Sequence, residues 1–259
     1  MCSSDLLAVI GDGAVRELEH LVLDAPAKVP AMGFAAAFAL GTFEGRDALA
    51  AIERVTRFLD PDTDAVRSAV AGGLMLAPHP DLAPLLRAWL GDVSPSMRAL
   101  AIDVLGYRKL ATLKDLERAL EDVDPLVIAT ALRWAALGPE SARSAARVAV
   151  EARRGTTDAR FVTASCWASV IAGFPSAAAE VEGFLGSEHE TGALLPYAVA
   201  CDLDQARRLL DLVETAATPA RVEALGHVGL GGSLDLLVSL LEDPGSPAEV
   251  KQAAAFALQ

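Results

Sequence analysis

Seven positions spaced close to 30 residues apart constrain this chain more than any other feature. The segments RFLDPD, AWLGDV, RALEDV, EGFLGS and SLLEDP each close a helical pattern on a large apolar residue, usually followed by acid or glycine. With VAVEAR and DLVETA they align Leu59, Leu90, Leu120, Val150, Leu185, Val213 and Leu241. The intervals are 31, 30, 30, 35, 28 and 28 residues. Such a period marks a repeated supersecondary unit that cannot bury its apolar face alone and must stack on its neighbours.

A second ladder identifies the other helix of each unit. AVRSAVAGGL, SMRALAIDVL, RVEALGHVGL and EVKQAAAFAL align without gaps, with Val66, Met97, Val222 and Val250 at one end and Leu74, Leu105, Leu230 and Leu258 eight positions on. Apolar residues at three- and four-residue steps give a helix one buried face. Small residues inside the run (Ala69, Gly73, Ala101, Gly226, Ala254) let neighbouring helices approach closely. Hydrophobic residues make up 53% of the chain and aromatics only 5%, so alanine and leucine must fill the core, which favours packed helices over sheet.

Proline punctuates the same units. Pro61, Pro95, Pro125, Pro219 and Pro247 each follow an Asp, Ser or Thr at an expected helix start, where the missing N–H costs nothing. First helices are predicted near 30–41, 63–75, 95–106, 125–137, 158–172, 192–202, 218–229 and 247–258. Second helices are predicted near 13–23, 45–59, 81–91, 112–121, 140–153, 176–185, 203–214 and 232–242. No alternating strand pattern of useful length is present. The expected fold is all-α, a right-handed α-solenoid of about seven to eight helix pairs.

Both ends bear on domain organisation. Residues 1–6, Met-Cys-Ser-Ser-Asp-Leu, match the translation of a common sequencing-adapter tail, and the chain stops inside a helical pattern at KQAAAFALQ. The expectation is a single domain over 7–259, truncated at both ends, behind six non-native residues.

At these residues a resemblance becomes nameable. Units reading D-x-x-P-x-V-R-x-x-A-x-x-x-L-G, best copied in D92VSPSMRALAIDVLG106, resemble HEAT repeats of the short bacterial kind also found in phycobilisome-lyase-like proteins; armadillo-like arrays share the architecture. The likeness covers about residues 30 to 259. DPLVIATALRWAALG and ALGHVGLGGSLDLLVSLLED are also similar to HEAT-like proteins encoded beside bacterial type VI secretion genes, without that family's N-terminal region. The resemblance implies architecture more than activity.

Chemistry is sparse. His20, His79, His189 and His227 are far apart and fall in different units, whereas metal ligands must converge on one point. His227 is expected inside a first helix as a satisfied, partly buried residue. Cys2, Cys166 and Cys201 lack metal-ligand spacing and suit small buried hydrophobes in a reducing cytosol. Gly11-Asp12-Gly13 and Gly229-Leu230-Gly231-Gly232-Ser233 have the composition of phosphate loops, but neither follows a strand; both are expected to be interhelical turns. Asp60, Asp62 and Asp64 cluster at a helix start, where acids favour the dipole. The uncharged run from Phe161 to Ala179 holds Gly173 and Pro175 and suits a buried helix and turn better than a membrane span. No catalytic set, cofactor or metal site is expected.

One functional pattern remains. Arg57, Arg87, Arg118 and Arg147 precede the rungs Leu59, Leu90, Leu120 and Val150 by two or three residues, at intervals of 30, 31 and 29. One arginine per second helix would form a stripe with rungs about 10 Å apart, thickened by Arg54, Lys114 and Arg143. Such a groove, confined to residues 45–155, suits an acidic peptide or helix of a partner protein through guanidinium–carboxylate pairs. Solvated arginines whose stems cover apolar surface remain the alternative. With 35 acidic against 22 basic residues and a formal charge of −13, nucleic acid is not an expected partner. The expected function is a non-catalytic cytoplasmic protein-binding scaffold. The resemblance leaves open a lyase-like protein acting on or carrying a tetrapyrrole or other small ligand.

Overall fold

The computed structural model describes residues 3–24, 29–59, 63–174 and 177–259, with side chains from residue 13 onward. Among the described residues the regular structure is helical throughout, with no strand. The chain divides into two compact units, residues 1–134 and 135–259.

The first unit holds α1 (Ser3–Leu23), α2 (Pro30–Leu40), α3 (Arg46–Leu59), α4 (Asp64–Leu76), α5 (Leu82–Trp89), α6 (Pro95–Tyr107), α7 (Leu113–Leu120) and most of α8 (Pro125–Ala136). Helix α2 packs on α4 and α4 on α6, while α1 packs on α3. Glycine makes the first of these contacts possible. A Cβ on Gly73 of α4 would come within 2.8 Å of the Ala37 Cβ and 2.9 Å of the Phe38 amide nitrogen of α2. Leu40, Ile52, Leu59, Leu74, Leu86, Leu100, Ile102 and Leu105 are buried in this unit. Helix starts carry the chemistry that strands the fewest amides. Ser94 Oγ accepts the Met97 N–H ahead of Pro95, and Thr112 and Asp115 form a reciprocal capping box on α7.

The second unit continues with α9 (Glu140–Ala152), α10 (Ala159–Ile171), α11 (Ala177–Glu182), α12 (Glu190–Ala200), α13 (Leu203–Thr215), α14 (Pro219–Gly226), α15 (Gly231–Glu242) and α16 (Ala248–Ala257). Here α10 packs on α12, α12 on α14, and α14 on α16. A Cβ on Gly226 would stand 2.6 Å from the Ala257 Cβ. Val162, Val181, Leu194, Tyr197, Leu209, Val222, Leu225 and Val250 share its core. Pro196 lies inside α12 and is itself buried.

Each of the sixteen predicted segments overlaps one of these helices, and three expectations need correction. Gly11-Asp12-Gly13 is not a turn: α1 begins at Ser3 and runs through it. The apolar run Leu6–Ile10 just before it continues the helix despite a cost of about 1 kcal/mol per internal glycine. His227 is not inside a helix. It caps α14 and is exposed, because Gly229 at φ +68° turns the chain before the predicted end at 229. Leu230 therefore starts α15 as its N-cap, half-buried, instead of closing the preceding helix. Helix α11 is the third case. It stops at Glu182, short of 185, at Gly183 and ahead of Gly186 at φ +79°. The turn expected over Gly229-Leu230-Gly231-Gly232-Ser233 is confined to Gly229 and Leu230, since α15 begins at Gly231.

Cys2, Asp60, Pro61, Asp62 and Pro175 lie outside the described residues. The run from Phe161 falls on α10 followed by a turn at Gly173. Among the described residues no helix is long and apolar enough to cross a membrane.

Candidate functional site

The predicted arginines occupy the second helices. In the first unit Arg57 lies in the last turn of α3, Arg87 in that of α5 and Arg118 in that of α7. Each reaches towards the adjacent pair. The Arg57 guanidinium donates to Glu53 on its own helix at 2.9 Å and to Asp92, just past α5, at 2.5 Å. Arg87 donates to the Leu110 carbonyl at 2.8 Å and more weakly to Asp115 of α7 at 3.4 Å. Arg118 points back at the turn after α5, with a terminal nitrogen 3.1 Å from where a Gly91 Cβ would stand. Of the supporting residues, Arg54 pairs with Glu19 of α1, whereas Lys114, like Arg118 of the stripe, has no carboxylate partner among the described residues. In the second unit, Arg147 and Arg143 of α9 pair with Glu151 and Glu140 of the same helix.

The turn Gly91–Ser94 is thus a point of convergence. Arg57 holds the Asp92 carboxylate, and Arg118 lies against Gly91. Arg98 of α6 donates to the carbonyls of Asp92 (2.9 Å) and Val93 (3.1 Å). At the tip Val93 is 95% exposed. Burial would raise the Asp92 pKa, but the Arg57 guanidinium and the Ser94 N–H outweigh it and hold the carboxyl below the ordinary carboxylate range.

Arg98 makes the most shielded tie among the described residues of the unit. It grips both oxygens of Asp122 at 2.7 and 2.8 Å, with the two side chains only 14% and 12% exposed. Again burial pushes the Asp122 pKa up, while Arg98 and the Asp124 N–H bring it below the usual range. The sequence pattern supplied this arginine only as a repeat signature. Its role as a tie depended on Asp122 sitting one unit further on.

The histidines do not gather. His20 and His227 are exposed, His189 caps α12 against Phe184, and His79 is buried between the Gly45 carbonyl and the Asp81 N–H. Among the described residues no three His, Cys, Asp or Glu side chains converge as a metal would require.

A cavity of about 180 Å³ lies in the second unit, between the end of α9, α10 and α11. Val150, Phe161, Val162, Cys166, Val181 and Phe184 line it, with Arg153–Thr156, Ser165, Ser169 and Glu180 completing the wall. Burial pushes the Cys166 thiol up to about 12, so it stays protonated. Cys201 is half-buried, its thiol donating to the Ala198 carbonyl at 3.3 Å. The cavity was not foreseen, although the 35-residue interval between Val150 and Leu185 falls directly over it.

Compared with models of known protein families and with curated proteins, the chain matches none.

Proposed function

We propose that this chain is a non-catalytic protein-binding module, an α-solenoid of HEAT-like helix pairs that holds an acidic segment of a partner against its second helices. The observation that carries this is the Gly91–Ser94 turn. It brings Arg57 of α3 and Arg118 of α7 to one turn whose apolar tip, Val93, is exposed. Arg118 has no carboxylate partner there among the described residues, and Arg57 is 44% exposed in its pairs. Arg57 also pairs with Glu53, both side chains exposed; such a pair is worth only about 0–1 kcal/mol, so a partner's carboxylate exchanges into it at little cost. Bidentate guanidinium–carboxylate pairs then give register and specificity. The type VI likeness suggests a bacterial, cytosolic, secretion-related setting.

Paired pull-downs from lysate of the source organism test this. One bait is the wild-type chain; the other carries Arg57→Glu, Arg87→Glu, Arg118→Glu and Arg147→Glu. A partner captured by the first and lost by the second, with both equally helical, supports the arginine groove. Equal capture removes the arginines from the binding surface, and absence of any partner removes the scaffold role.

A further inference from the structure

The cavity between α9, α10 and α11 sits where the repeat is most irregular, and its origin can be traced to the chain. The interval from Val150 to Leu185 is 35 residues, against 28 to 31 elsewhere. Val150 lies two residues before the end of α9, Leu185 lies three past the end of α11, and the connection between α9 and α10 contains Gly155 at φ +87°. The helix that should cover α10 then runs only from Ala177 to Glu182. A six-residue helix cannot shield the whole face of α10 that carries Phe161, Val162 and Cys166, and Phe184 reaches in from the turn beyond it.

We propose that this cavity is a binding site for a small, uncharged, hydrophobic molecule of about one aromatic ring. Size fits one ring: an apolar cavity of about 150 Å³ accommodates benzene, and this one measures about 180 Å³. The wall sets polarity. Its inner face is Val150, Phe161, Val162, Val181 and Phe184, with a Cys166 thiol that stays neutral and a Ser165 hydroxyl already donating to the Val162 carbonyl at 2.8 Å. Charge is matched at the edge, where Arg154 and Glu180 pair at 2.9 Å with side chains 64% and 29% exposed. A charged ligand would have to lose its hydration and compete with that pair, whereas a neutral ring needs neither. Apolar surface leaving water supplies the driving force. The site lies wholly within residues 135–259 and does not depend on the arginine groove.

Titration of the full chain with toluene, indole and phenylacetate, followed by NMR, decides the matter. Saturable one-to-one binding of toluene or indole is expected, with phenylacetate at least about tenfold weaker. Cys166→Phe and Val181→Phe each put a ring into the cavity, and each should weaken indole binding by at least about tenfold while the helical signal is retained. If either variant fails to fold, intermolecular NOEs from indole to the Phe161 and Phe184 rings in the wild type take its place. Absence of saturable binding, binding retained in both folded variants, NOEs to other residues, or equal affinity for phenylacetate would each overturn the proposal.

Discussion

In residues 1–134 the rungs Leu59, Leu90 and Leu120 stand 31 and 30 residues apart, and all three are buried. In residues 135–259 the rungs Val150, Leu185, Val213 and Leu241 stand 35, 28 and 28 apart, and Leu185 and Leu241 are only half-buried. Equal spacing lets one device recur. Asp92 and Asp122, 30 residues apart, each accept the N–H two residues on (Ser94 and Asp124, both 2.9 Å) and each receive a guanidinium. The second unit also ties one pair to the next, as when Arg221 of α14 grips Glu190 at the start of α12, but the acceptor there is a helix-start glutamate and not an aspartate in a turn. The irregular spacing leaves the cavity. Repetition therefore fixes which polar groups meet, and departures from it fix where packing fails.

The largest effect should come from breaking a shielded tie. Arg98→Met leaves the Asp122 carboxylate in place without its guanidinium, at an expected cost of about 3 kcal/mol in urea unfolding. Arg221→Met should cost a similar amount, since Arg221 and Glu190 are both 14% exposed. A loss under about 1 kcal/mol at Arg98 would show that the regular unit gains nothing from its tie.

Acid should report on the same groups. Asp92, Asp115, Asp122 and Glu190 all have pKa values below their ordinary ranges. At Glu190 the Arg221 hydrogen bond is the main cause, whereas at the three aspartates burial opposes the shift and hydrogen bonds override it. An unfolded carboxyl with a pKa of about 4 binds protons more readily than these do, so their contribution is fully present above about pH 5. It is lost as pH falls through the lower folded values. Urea midpoints measured from pH 7 to pH 3 should fall on the acid side, and Arg98→Met should flatten that fall.

A matched pair of core truncations compares the packing. Val104 in α6 and Val181 in α11 are both buried, at 0% and 1% exposure, but only Val181 lines the cavity. Val104→Ala should cost about 2.5 kcal/mol, from two lost methyl groups and the new void. Val181→Ala should cost about 1 kcal/mol, because atoms facing a void already lack partners on one side. Equal losses in denaturant unfolding would mean that the second unit packs as tightly as the first.

These contrasts also mark what was legible in the sequence. Helix positions were readable because apolar periodicity and proline at starts such as Pro95, Pro125 and Pro219 are local signals. Ends were less readable where one glycine's φ decides them, as at Gly229 and Gly186. The arginines of the second helices could be placed on their faces by spacing. Their carboxylate partners could not, because Arg57–Asp92 and Arg98–Asp122 join residues 35 and 24 positions apart. The cavity was signalled only by a spacing anomaly, whose meaning depended on how short α11 turned out to be.

The smallest expected effect carries the most weight for function. Arg87 is 42% exposed, its contact with Asp115 is long at 3.4 Å, and its 2.8 Å bond to the Leu110 carbonyl is itself exposed to water. Arg87→Met should therefore change stability by less than about 0.5 kcal/mol. A groove that exchanges its own carboxylates for a partner's needs exposed arginines to be weakly committed, in contrast to Arg98. If Arg87→Met instead costs more than about 1 kcal/mol, the residue is a structural tie like Arg98, and the second-helix arginines lose their standing as a partner-binding surface.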